Sequence, residues 1–95
     1  MKIFVAMMGG APLPMFSLVK VSDESILDNH SVCKAISNFV VNKKYPSIVL
    51  FMVYRLDGTV RFEGVDNVRD YLYHVHEIDP LFFGDDRCDW RDFII

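Results

Sequence analysis

The chain has 95 residues, 52% of them hydrophobic, 14% aromatic and 24% charged, with a formal net charge of −3. A chain of this length fits one domain that buries one real core without metal or disulfide staples, and its apolar content excludes intrinsic disorder. The absence of a concentrated basic footprint argues against direct nucleic-acid binding.

In chain order, Ile3–Met8 reads as a buried strand. Gly9-Gly10-Ala11-Pro12-Leu13-Pro14 breaks it, because glycine admits positive φ and proline lacks an amide donor. Met15–Val21 reads as a second strand, paired antiparallel with the first. Ser22-Asp23-Glu24 and Ser31 are both candidate helix starts, with residues 23–30 forming a turn or short helix. From Ser31, the residues Val32, Ala35, Ile36, Phe39 and Val40 mark one helical face. The pair Lys43-Lys44 suits a helix C-terminus, and Pro46 forbids continuation.

Ser47–Arg55 is the strongest strand and is apolar on both faces. That pattern fits a central strand covered on both sides, or one at an oligomer interface. Asp57-Gly58 predicts a type I′ hairpin that pairs Tyr54 with Arg61 and Val53 with Phe62. Phe51, Val53, Val60 and Phe62 would then share the core face. Asp66 is a candidate cap for a second helix striped by Val68, Tyr71, Leu72, Val75 and Ile78, which Asp79-Pro80 stops. The remainder has no clean period, although a short strand can form at Phe93–Ile95. The expected fold is α+β in one domain over 1–95: a four-stranded, mainly antiparallel sheet in ββαββα order, with two helices packed on one face.

The candidate sites are each weighed against a plainer role. Cys33 and Cys88 show no zinc spacing, and neither lies in the electropositive setting that makes a reactive thiolate. Two reduced thiols are expected. His74-Val75-His76 resembles a metal pair, but residues two apart on a helix diverge by about 200°. No metal or cofactor is expected. Gly9-Gly10 lacks the ending of a phosphate loop and the spacing of a dinucleotide fold. Asp85, Asp86 and Asp89 lack the register of a calcium loop. The apolar run at the start is shorter than the roughly 7–15 residues of a signal-peptide core, and no stretch approaches a membrane span. A cytoplasmic protein without membrane contact is expected.

The distinctive segment is 79–95. Residues 77–95 hold six acids (Glu77, Asp79, Asp85, Asp86, Asp89 and Asp92) against Arg87 and Arg91, whereas residues 1–76 are nearly balanced. Leu81, Phe82, Phe83, Trp90, Phe93, Ile94 and Ile95 interleave with those acids. A purely solvating acidic tail has few aromatics. These residues therefore either complete the core or dock on another chain, since interfaces favour Trp, Phe, Met and Arg.

The leading expectation is a non-enzymatic protein-binding accessory or inhibitor module, in character like small viral proteins aimed at host targets. It would bind a partner with a basic patch through Phe82, Phe83, Asp85, Asp86, Asp89, Trp90, Arg91 and Phe93, and it could self-associate through its sheet. The runner-up is a small enzyme or ligand-binding domain with a helix–sheet pocket near Tyr54, Arg61, His74 and His76. The third is an acidic nucleic-acid mimic.

Overall fold

A computed structural model describes residues 1–95. The elements are β1 (Lys2–Gly10), β2 (Leu13–Lys20), a 3-10 turn (Glu24–Ile26), α1 (His30–Asn42), β3 (Val49–Tyr54), β4 (Val60–Glu63), α2 (Asp66–Ile78) and β5 (Arg91–Ile94). The class is α+β, and the sheet is a single mixed one of five strands in the order β4-β3-β2-β1-β5. All neighbours run antiparallel except β2 and β3, which are parallel with Leu18 opposite Leu50. A parallel pair cannot be joined by a hairpin, and α1 is the crossover between them.

Both faces of this sheet are covered, one helix to each, so the expected single helical layer is corrected. On one face Ile36 and Val40 of α1 pack on Ile3, Val5, Val19, Phe51 and Val53. On the other, Val68 and Leu72 of α2 pack on Phe16, Leu18, Leu50, Met52 and Phe62. The reason lies in β3, whose residues from Leu50 to Val53 are all buried and alternate between the two cores. A helix on one side only would leave half of that run in water, at about 1.5–3 kcal/mol per large side chain. Ser17 is the one buried polar residue, and its hydroxyl donates to the Pro46 carbonyl at 2.7 Å.

The β3–β4 hairpin forms at Asp57-Gly58, but one residue out of the expected register. Tyr54 pairs with Val60, Val53 with Arg61 and Met52 with Phe62. Only Gly58 takes positive φ in the turn, at +88°, so the type I′ geometry is absent. Asp57 Oδ1 accepts from the Thr59 N–H at 3.0 Å and its hydroxyl at 2.6 Å, and the Arg55 N–H donates to the Thr59 carbonyl. A one-residue slip moves every side chain of a strand to the opposite face. Val60 and Phe62 therefore join Met52 against α2, while Phe51 and Val53 face α1.

The helix starts also differ by a residue or two. Asn29, rather than Ser31, caps α1 by accepting the Val32 N–H at 3.2 Å. Asp66 lies inside the first turn of α2, and no side chain caps that helix. The 3-10 turn is capped by Asp23, which accepts from the Ser25 N–H at 2.9 Å.

Candidate functional site

The first two strands outrun their neighbours. β5 pairs with β1 only over Lys2–Val5, and β3 pairs with β2 only over Ser17–Lys20. The hairpin beyond Ala6 and Phe16 is therefore an arm with no strand on either side, turning at Ala11-Pro12. One side of the arm is apolar and packed, with Met8, Leu13 and Phe16 against the α2 core. Met7 and Met15 remain 58% and 48% exposed.

The segment after α2 folds back beneath this arm in a series of turns and carries the expected C-terminal site. Its aromatic residues divide by role. Phe83 is fully buried in the α2 core, 5.3 Å from the Phe62 ring and 5.1 Å from Phe82. It cannot contact a partner, so its assignment to the binding surface is corrected. Trp90 is partly buried; its indole N–H donates to the Phe83 carbonyl at 3.0 Å, and the Lys20 ammonium sits 4.6 Å from its ring. Phe93 lies on the opposite face of the sheet, edge-on to Phe39 at 5.7 Å and Tyr45 at 6.0 Å. Arg91 pairs with Val5 and shares that α1 face. The structure thus brings together Phe82, Asp85, Asp86, Asp89 and Trp90; Phe93 lies apart on the α1 face, and of that group Arg91 shares a hollow with Asp89 alone.

Between the arm, α2 and this segment lies a groove of about 460 Å³. Met8 and Leu13 from the arm, Tyr71 and Val75 from α2, and Phe82 and Cys88 from the turns supply its walls. Arg87 and Asp89 stand at its rim, and Arg87 is already held by Asp79 at 3.0 Å. Asp85 and Asp86 project from the adjacent turn. Asp85 is 90% exposed and meets only Lys20, at 3.9 Å, while Asp86 and Asp89 form no ion pair. An apolar hollow beside exposed carboxylates suits an apolar side chain flanked by cations. Burial pushes the Cys88 thiol up, outweighing the opposite pull of Lys20 and Arg87. The thiol also donates to the Phe82 carbonyl at 3.2 Å, so it acts as packing and is poorly disposed to be a nucleophile. Cys33 is likewise pushed up, mainly by burial. Cys33 packs on the α1 face and Cys88 on the α2 face, and both are free.

The expected pocket of Tyr54, Arg61, His74 and His76 does not assemble, because the sheet divides its members. Arg61 lies on the α1 side, bonded to Glu24 at 3.1 Å, Asp28 at 2.9 Å and Glu63 at 2.9 Å. With all three of its nitrogens engaged, this guanidinium ties β4 to the 3-10 turn. His76 lies on the α2 side, 6.3 Å from the Tyr54 ring and stacked toward Phe83 at 6.5 Å. His74 points outward from α2, diverging from His76 as helical spacing requires. No three His, Cys, Asp or Glu side chains are placed to hold a metal ion. No helix is long and apolar enough to cross a membrane.

The groove residues Met8, Leu13, Tyr71 and Val75 were not marked as functional by their sequence. The one available signal was that Leu13-Pro14-Met15 stays apolar beyond the Gly-Gly break. Comparison with protein-family models, curated proteins and solved structures returns no match.

Proposed function

We propose that the protein is a non-enzymatic protein-binding module whose working surface is the α2 face where the projecting arm meets the acidic 85–89 turn. The observation that carries this reading is the pairing of an apolar groove with the exposed carboxylates of Asp85, Asp86 and Asp89. The complementary partner presents a bulky apolar side chain between basic residues. Charge would then chiefly set association rate and selectivity, and the apolar contact the residence time. An inhibitor or accessory protein aimed at a basic partner surface fits this form. Tyr71, Phe82 and the edge of Trp90 are aromatic contacts that the fold leaves available there.

The test is quantitative capture with wild type, an Asp85→Lys/Asp86→Lys variant and a Lys34→Glu control on the far helix. The proposal requires a partner that is enriched by wild type and the control, is lost with the double variant, and is released by added salt. Equal capture by all three proteins would refute it. Competition of that partner by duplex DNA would favour the nucleic-acid mimic instead.

Two specific observations support second readings. The groove's volume falls within the usual range for small-ligand sites, about 300–1,000 Å³, so a ligand-binding domain keeps a physical basis. The two sheet edges also differ. At β4 the outward N–H of Phe62 donates to the Tyr73 hydroxyl at 2.9 Å, closing that edge. At β5, Ile95 and Met1 exchange backbone bonds, and strict alternation turns the backbone groups of Asp92 and Ile94 toward the open side. A second copy could add there as an antiparallel strand. Sedimentation across a concentration series separates a dimer from a monomer.

A further inference from the structure

On the α1 face of the same arm, three segments close around a second hollow of about 350 Å³. Lys43, Lys44 and Tyr45 come from the end of α1, Asp89 and Arg91 from the approach to β5, and Met7 from the arm. Three basic residues and one acidic residue line it, in a protein of net charge −3. Lys43, Lys44 and Arg91 form no ion pair, although the chain ties most of its other basic side chains to carboxylates. The carbonyl end of α1 accounts for Lys43 and Lys44. It does not account for Arg91, which is delivered by a different element.

Part of the wall is held in place. The Val5–Arg91 pair of the ladder positions Arg91, and edge-on packing against Phe93 at 6.0 Å positions the Tyr45 ring. The Tyr45 hydroxyl makes no hydrogen bond within the protein and is free to donate. Lys43 lies 5.4 Å from the Phe39 ring, a contact that limits how far its ammonium can wander. A guanidinium fork beside two point charges and a phenol suits tetrahedral oxyanions. Three cations less one carboxylate leave a surplus of two charges. A phosphate monoester carries about −1.5 to −2 at neutral pH, whereas a single carboxylate carries half of that.

We infer that the hollow bounded by Met7, Lys43, Lys44, Tyr45, Asp89 and Arg91 binds a small organic phosphate monoester, with the phosphate among the cations and the organic part against Met7 and Tyr45. This site opens on the α1 face, opposite the groove proposed above, and shares only Met7 and Asp89 with it.

The experiment is an amide-resolved NMR titration at constant ionic strength with phenyl phosphate, inorganic phosphate and succinate. Saturable shifts are expected at Lys43, Lys44, Tyr45 and Arg91, with phenyl phosphate binding more tightly than inorganic phosphate. A Lys43→Met/Arg91→Met variant weakens phenyl phosphate binding at least about tenfold, the loss expected for removing charge-assisted bonds. Lys34→Met, on an exposed part of α1, leaves it unchanged, and unaltered spectra elsewhere show that each variant is folded. Shifts that do not saturate, that spread evenly over the surface lysines, or that survive the double substitution overturn the site. Succinate binding as tightly as phenyl phosphate overturns the phosphate assignment.

Discussion

Replacing Phe83 by alanine tests whether the C-terminal aromatic segment is built into the fold. Phe83 has no exposed surface and packs among Phe62, His76 and Phe82. Its carbonyl also holds the Trp90 indole. Truncating a buried phenylalanine costs about 3–5 kcal/mol, combining lost transfer energy with the cavity left behind. The whole domain, at roughly 0.05–0.15 kcal/mol per residue, is worth about 5–14 kcal/mol. The substitution therefore removes about a fifth or more of the total, lowering Tm by roughly 12–40 °C at about 4–8 °C per kcal/mol. Urea unfolding followed by circular dichroism measures the loss, and the single Trp90 reports on the same neighbourhood by fluorescence. The urea slope should stay constant if native and unfolded states keep their exposed areas. A loss below about 1 kcal/mol would refute the reasoning, because it would mean that the 80–90 segment is not part of the α2 core.

Three other perturbations address separate parts of the fold. Gly64 takes φ +143°, and an added Cβ would lie 2.7 Å from Leu50 Cγ; Gly64→Ala should cost about 1–3 kcal/mol in urea unfolding, and a neutral result contradicts the packing. Tyr73→Phe removes the hydroxyl that closes the β4 edge, so the Phe62 amide should exchange faster with solvent deuterium and stability should fall by about 1 kcal/mol; unchanged exchange refutes the edge role. Hydrogen bonds from Arg55 first and Arg61 second hold the Glu24 carboxyl below its ordinary value. Because the folded value is the lower one, this contribution is present above the ordinary carboxylate range and is lost as pH falls through the folded value. Arg55→Gln should raise the Glu24 midpoint followed by side-chain carbon NMR, and an unmoved midpoint contradicts the assignment.

Local chemistry in the sequence marked most elements but not the way they combine. Asp57-Gly58 located the β3–β4 turn, yet its register depended on whether both residues or only Gly58 took positive φ. The side chain of Asp57 decides that by accepting from Thr59. The unbroken apolar run of β3 fitted either cover on both faces or an oligomer interface. Assigning α1 and α2 to opposite sides, however, depends on β2 and β3 being parallel, a pairing of residues far apart in the chain. Each of Tyr54, Arg61, His74 and His76 lay in its expected element, but alternation along β3 and β4 set Arg61 on the other face from Tyr54. The groove was illegible for a related reason. Its walls come from three segments, and although 79–95 stood out by its acidic-aromatic pattern, nothing local joins it to Met8 and Leu13 of the arm or to Tyr71 and Val75 of α2.

The most direct test of the functional account is hydrogen–deuterium exchange on the complex with a captured partner. The α2-face surface predicts new protection at Met7–Met15 and Leu81–Asp89, with the exposed side of α1 unchanged. Protection confined to α1, or none on the arm and the acidic turn, would contradict it.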